Sequence, residues 1–95
     1  MVRSDRIVLY KSDPCGYCSA ALRFLEQRKG QTVEVVDLTG DWEARQALRE
    51  RTGLRTVPQI WVGETHVGGY DEMRALDASG GLDPLLDAVQ QARSG

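Results

Sequence analysis

The only two cysteines of the chain lie in one short run, Cys15-Gly16-Tyr17-Cys18. Two thiols separated by two residues suit either a redox pair or part of a metal site. A structural zinc site takes about four ligands. The chain offers two Cys and one His, and His66 falls in a separate strand-like segment. A purely structural disulfide belongs to an oxidising compartment. Redox chemistry is therefore the leading reading. A cysteine at a strand-to-helix turn faces the free N–H groups and the positive end of the helix dipole, which favour a thiolate. The thiolate is the attacking species, so Cys15 is the candidate nucleophile. Cys18, one helical turn on, is placed to close a disulfide with it. It joins the apolar positions Ala21, Leu22 and Leu25, so it is expected to be the more buried of the pair.

The elements around this run alternate. Ile7-Val8-Leu9-Tyr10 reads as a buried strand. Lys11 to Pro14 is a turn, and a helix from Cys15 to Arg28 stops near Gly30. Thr32 to Leu38 reads as a strand, and Asp41 caps a helix ending near Thr52 and Gly53. That helix has Trp42, Ala44, Ala47 and Leu48 as its apolar side. Val57 to Val62 and the strand around His66-Val67 form a hairpin across Gly63-Glu64. A helix from Tyr70 to Ala78 ends at Gly80-Gly81. Asp83 is expected to cap a last helix with Pro84 at its first position and Leu85, Leu86 and Val89 on its buried side. The order β-α-β-α-β-β-α, with one extra helix, has a parallel first pair and a final antiparallel hairpin. This predicts an α/β fold of the thioredoxin-like kind, a four-stranded mixed sheet flanked by helices, with residues 1–95 as one domain.

Composition narrows the function classes. The chain has 95 residues, 41% hydrophobic and 27% charged, with formal net charge -2 and a pI near 5.3. A nucleic-acid binder that works by electrostatics carries a basic face and a high pI, so no nucleic-acid partner is expected. Apolar runs of four or five residues fall far short of the roughly 20 needed to cross a bilayer. The N-terminus lacks the long apolar stretch of a signal peptide. The sequence reads as cytoplasmic, with no membrane partner.

Two further segments carry recognisable site chemistry. Thr56-Val57-Pro58 precedes a strand, where a proline is tolerated. Only about 5–6% of X–Pro bonds are cis, which taken alone favours trans. The Cys pair 40 residues earlier (58 minus 18) reverses that preference. A cis bond here turns the Val57 backbone outward to pair with an extended peptide. Gly68-Gly69-Tyr70-Asp71 opens a helix. Its free N–H groups suit a carboxylate and Asp71 suits an ammonium, as on a small zwitterion. A plain turn with an N-cap accounts for the same residues equally well.

Together these runs resemble the glutaredoxin family over nearly the whole chain. The matching stretches are Cys15-Gly16-Tyr17-Cys18, Thr56 to Gly63, and His66 to Glu72, with a tail from Ala75 to Leu86 like that of short bacterial members. The resemblance implies a glutathione-dependent thiol–disulfide oxidoreductase. It gives Cys15 the mixed disulfide with glutathione and Cys18 the resolving role. It places Tyr17 against the tripeptide, and Val57 in backbone pairing with the cysteinyl residue beside Thr56 and cis Pro58. Gly69, Tyr70 and Asp71 would hold the γ-glutamyl end. Arg45, eleven residues before Thr56 (56 minus 45), would meet the glycyl carboxylate, and a solvated helix face is the plain alternative for it. The clients implied are protein disulfides and glutathionylated thiols, served by a monomer.

Three positions depart from the family pattern. Gly16 stands where many dithiol members have Pro. Ser12 stands where they often have Lys, so Lys11, one place earlier, is the cation left to reach the thiolate or the glycyl carboxylate. Pro14 directly precedes Cys15. The first departure keeps a second reading open: some members lacking that proline hold a [2Fe–2S] cluster between two subunits, using the first cysteine of each and two glutathione thiols. In that reading Cys15 becomes a metal ligand and the protein a dimer. A third reading is a thioredoxin-like reductant served by a flavoprotein reductase.

Overall fold

A computed structural model describes residues 5–94. In chain order the elements are β1 (Ile7–Lys11), α1 (Gly16–Arg23), a π-helical turn (Phe24–Arg28), β2 (Glu34–Asp37), α2 (Trp42–Thr52), β3 (Gln59–Val62), β4 (Thr65–Gly68), α3 (Tyr70–Ala78) and α4 (Leu82–Ser94).

 The parallel pairing of β1 with β2 and the β3–β4 hairpin follow from the sequence pattern, whereas the antiparallel pairing of β1 with β3 comes from the fold alone. β1 runs parallel to β2, with Val8 opposite Glu34 and Tyr10 opposite Val36. It runs antiparallel to β3, with Ile7 opposite Val62 and Leu9 opposite Ile60. β3 and β4 form the antiparallel hairpin, with a register irregularity at Ile60/Trp61. The sheet order is β2-β1-β3-β4: the mixed four-stranded sheet of a thioredoxin-like fold.

Alternation along the strands divides the side chains between two faces. Ile7, Leu9, Ile60 and Val62 point to one face and join Ala21, Phe24, Leu25, Met73, Leu82, Leu86 and Val89 in the main core. Helices α1, α3 and α4 therefore cover that face. Val8 is paired with Trp61 on the other face, where Arg51 of α2 lies 5.7 Å from the Trp61 ring centroid. Helices thus flank both sides of the sheet.

The caps explain most element ends. The Asp41 carboxylate accepts the Ala44 N–H at 3.1 Å, so α2 starts where expected. Gly53 closes it with φ 76°, a left-handed conformation that suits glycine. Five sequence expectations are corrected. Cys15 is the N-cap of α1 rather than its first residue, and the helix it opens passes into the π-helical turn before Arg28. β2 is shorter than Thr32 to Leu38, as an edge strand with one neighbour. β3 begins at Gln59 rather than Val57, because Pro58 has no N–H for a ladder.

The other two corrections concern helix faces and starts. In α2 only Leu48 is buried, while Trp42 is 74% exposed and Ala47 also faces outward. α2 lies on the sheet through one narrow side, so an apolar residue beyond it stays in solvent. α4 begins at Leu82, which is fully buried, so Asp83 lies inside the first turn and Pro84 is the third helical residue. Asp83 instead pairs with Lys29 at 3.0 Å, and Asp77 of α3 pairs with the same ammonium at 2.7 Å. That cluster ties the end of the π-helical turn to α3 and α4.

Met73 has no exposed surface and fastens α3 to the core. Met73→Ala is expected to cost about 2–5 kcal/mol. In guanidinium unfolding it should lower the midpoint with an unchanged m-value.

Candidate active site

The site forms where the C-terminal end of β1, the start of α1 and the loop before β3 meet. Leu38 N–H donates to the Lys11 carbonyl, and Asp13 N–H donates to the Thr39 hydroxyl at 2.8 Å. Thr39 donates in turn to the Asp37 carboxylate at 2.6 Å, which holds the Asp37 carboxyl below its ordinary range. These bonds fasten the Ser12–Pro14 loop to the β2–α2 connection. Asp13–Pro14 and Val57–Pro58 are both cis; the second agrees with the sequence expectation, and the first was not foreseen.

Cys15 caps α1 through its sulfur. Its Sγ accepts the Cys18 N–H at 3.2 Å and lies 3.7 Å from the Val57 carbonyl oxygen. Both cysteines are free thiols, Cys15 part-exposed and Cys18 buried at 3% exposure. Burial pushes the Cys18 thiol up to about 11, and its hydrogen bond with Cys15 adds to the effect. The backbone of Ser12 and the charge of Lys11 act in the opposite direction. At neutral pH Cys18 is therefore a protonated thiol, and the accessible sulfur is that of Cys15.

A cleft of about 280 Å³ opens beside these thiols. Tyr17, Thr56, Val57, Pro58, Gly69, Tyr70 and Asp71 all line it. The Tyr17 and Tyr70 rings stand 6.0 Å apart with a 40° tilt, giving the cleft an aromatic wall. At its far end the first N–H groups of α3 lack intrahelical partners, a feature of every helix start. Gly69 N–H is taken by the Glu72 carboxylate at 2.8 Å.

Two residues named from the sequence stand outside the cleft. Lys11 pairs with Asp13 at 3.0 Å, and that carboxylate raises its basicity. The Arg45 guanidinium donates to the Ser12 hydroxyl at 3.3 Å, so it reaches the loop that carries Cys15 from the α2 side.

Three supporting residues escaped the sequence reading. Gln59 is almost fully buried, and its amide nitrogen donates to the Leu54 and Thr56 carbonyls at 3.2 and 3.1 Å. It pins the loop that presents Val57, and nothing in the local pattern announces it. Glu72 sits three residues after Gly69, the spacing of a capping box. Arg74 donates to the Tyr70 hydroxyl at 2.7 Å and lies 4.7 Å from the Phe24 ring centroid; its i+4 spacing from Tyr70 was the available signal. Another cleft, of about 400 Å³, lies at the opposite end of β1 between residues such as Asp5 and Arg93, and no cysteine lines it.

A mixed sheet of this order, with a Cys-x-x-Cys pair at the first strand-to-helix turn and a cis proline facing it, defines a thioredoxin-fold protein with a thiol pair at its active end. Comparison with known proteins makes the assignment specific. The glutaredoxin family profile matches residues 7–67. A glutaredoxin of Pseudomonas aeruginosa is 46% identical over 82 residues, covering 86% of this chain and 96% of that protein. Glutaredoxin 3 of Escherichia coli is 40% identical over 80 residues, covering 84% and 95%. The crystal structure of a buckwheat glutaredoxin–glutathione complex superposes with TM-score 0.81 at 30% identity, covering 93% of this chain and 82% of that one. The chain belongs to the glutaredoxin family and is a thiol–disulfide oxidoreductase.

The burial of Cys18 yields a chemical prediction. Iodoacetamide should label Cys15 in the native protein while Cys18 stays unmodified through pH 8, where a thiol titrating near 11 is about one part in a thousand thiolate. Peptide mapping by mass spectrometry checks this. The sign for stability follows from the same shift. The folded state holds the Cys18 proton more tightly than the unfolded state does, so this contribution falls as pH rises above the ordinary thiol value of 9.0 toward 11.

Proposed function

We propose that this chain uses glutathione as its cosubstrate, reducing protein disulfides and glutathionylated thiols through a mixed disulfide at Cys15. The observation that carries the reading is the single cleft lined by Tyr17, Thr56, Val57, Pro58, Gly69, Tyr70 and Asp71 next to the accessible thiol. The related buckwheat protein was solved with glutathione, which supports the same ligand here. In this reading the cysteinyl residue of glutathione pairs with the Val57 backbone. The γ-glutamyl carboxylate meets the free N–H groups at the start of α3, and its ammonium meets Asp71. The glycyl carboxylate runs toward Arg45. Lys11 contributes positive charge behind the thiols rather than a wall of the cleft. Residues 1–95 act as one domain, working as a monomer in the cytoplasm.

The mechanism follows from the two thiols. Cys15 as thiolate attacks the glutathione sulfur of a glutathionylated protein, and the protein thiolate leaves and takes up a proton. A second glutathione thiolate attacks the Cys15 mixed disulfide and releases glutathione disulfide. With a protein disulfide, Cys15 first bonds to the client. Cys18 then gives up its proton and attacks the Cys15 sulfur, releasing the reduced client. Two glutathione molecules return the internal disulfide to thiols. Glutaredoxins sit at about −200 to −230 mV, close to the glutathione pool, so both directions are accessible.

Cys15→Ser should abolish both activities. Cys18→Ser should retain reduction of glutathionylated thiols and lose reduction of protein disulfides. A glutathione-coupled assay on the three proteins, with mass spectrometry to locate the glutathionyl group, checks the roles; equal loss of both activities in Cys18→Ser would overturn them.

A second reading, a [2Fe–2S] protein, rests on Gly16. Gly16 carries no side chain, so no ring or branch stands next to Cys15 at that position. Among the described residues no group of three or more His, Cys, Asp or Glu could hold a metal ion. Four thiolates for such a cluster therefore do not fit one chain, and would need Cys15 from two chains and two glutathione thiols. Anaerobic reconstitution decides it: a coloured dimer supports the reading and a colourless monomer overturns it.

A further inference from the structure

We propose that a second groove, on α2, docks an acidic segment of a client polypeptide lying on the C-terminal side of the client's reactive cysteine. The groove has a volume of about 300 Å³ and is lined by Trp42, Arg45, Gln46, Arg49 and Arg55. Trp42, Arg45 and Arg49 share one helix face, at i, i+3 and i+7. Arg55 faces them from the loop before β3. No carboxylate lines the groove, and among the described residues no acidic side chain pairs with any of its three guanidinium groups. This concentration of positive charge stands on a chain whose net charge is -2. Like charges so placed repel one another, and an acidic ligand relieves that repulsion with planar, charge-assisted hydrogen bonds. Trp42, 74% exposed beside them, offers an apolar surface of the kind that anchors a binding partner.

The groove lies beside the loop that carries Cys15, and this sets the polarity of the client. Arg45 reaches the Ser12 hydroxyl at 3.3 Å, and Arg55 precedes Thr56-Val57 in the chain. The inference rests on the glutathione orientation proposed above, in which the ligand runs N to C from the start of α3, past Val57, toward α2. A client whose cysteine takes the place of the glutathione cysteine runs the same way. Its residues after the cysteine then enter the arginine groove, and those before it face Asp71.

The covalent step is the one already described. The Cys15 thiolate attacks one sulfur of the client disulfide, and the other client sulfur leaves as a thiolate and takes up a proton. Cys18 loses its proton and attacks the Cys15 sulfur, releasing the client's second thiol. Two electrons pass from the Cys15–Cys18 pair to the client.

The test compares three symmetric peptide disulfides: Gly-Cys-Gly-Glu-Glu-Glu, Gly-Cys-Gly-Lys-Lys-Lys and Glu-Glu-Glu-Gly-Cys-Gly. Each is mixed with the pre-reduced full chain, quenched in acid and followed by mass spectrometry. The first should react about fivefold faster than either of the others, as a pair of surface guanidinium–carboxylate contacts supplies, and its advantage should shrink with added salt. Arg49→Gln/Arg55→Gln should remove the advantage while leaving reduction of the glutathione–hydroxyethyl mixed disulfide unchanged. Equal rates for the three peptides overturn the proposal, as does an advantage that survives the double variant or follows the reversed peptide. Single-stranded RNA bound by the wild type and not by the double variant, with no peptide preference, assigns the groove to nucleic acid and also overturns it. A wild type that prefers the first peptide but leaves the glutathione mixed disulfide unreduced keeps the groove and removes the glutathione reading instead.

Discussion

The hydrogen bond from Cys18 N–H to Cys15 Sγ, 3.2 Å long, joins the chemistry to the fold. A helix start leaves N–H groups that need an acceptor. Ser, Thr, Asp or Asn usually supplies one. Here the acceptor is the sulfur that does the chemistry. The interaction that begins α1 therefore also fixes the position of the reactive sulfur. It requires Cys15 to stay extended, at φ -155°, and the Ser12–Pro14 loop to stay fastened to Thr39.

Burial then separates the two thiols. Cys18 lies in the apolar layer of α1, where charge is disfavoured. Its proton is held to about 11. Two residues of one type, one helical turn apart, are thereby given different work. An exposed sulfur can be reached by a client, and a buried sulfur is reserved for an attack from within. The same logic governs the opposite wall. Gln59, buried at 1% exposure, spends its amide nitrogen on the carbonyls of Leu54 and Thr56. That leaves the adjoining Val57 backbone at the cleft rather than drawn into the sheet.

Much of the architecture was legible because its signals are local. β1 shows as a β-branched run, Asp41 and Gly53 mark the ends of α2, and the glycines at 68 and 69 mark the turn into α3. Local signals failed where a contact distant in sequence decided the outcome. Trp42 looked like a core residue of α2 and faces solvent, since α2 meets the sheet along the Leu48 side. Asp83 looked like a cap and pairs with Lys29, which lies far from it in sequence. Gln59 is polar within an apolar strand, and only the loop packed over it gives its amide a purpose.

The sequence by itself determined the thiol pair, its place between a strand and a helix, and the family signature that joins it to Thr56-Val57-Pro58 and Gly69-Tyr70-Asp71. Residue type and short spacing carry those facts, so they need no folded chain. Only the tertiary structure decided which of these residues share a cleft. Seven of them line it, while Lys11 is held by Asp13 and Arg45 approaches from α2. The reason is geometric: side-chain direction depends on how each element packs on the sheet. Spacing along the chain does not encode that packing.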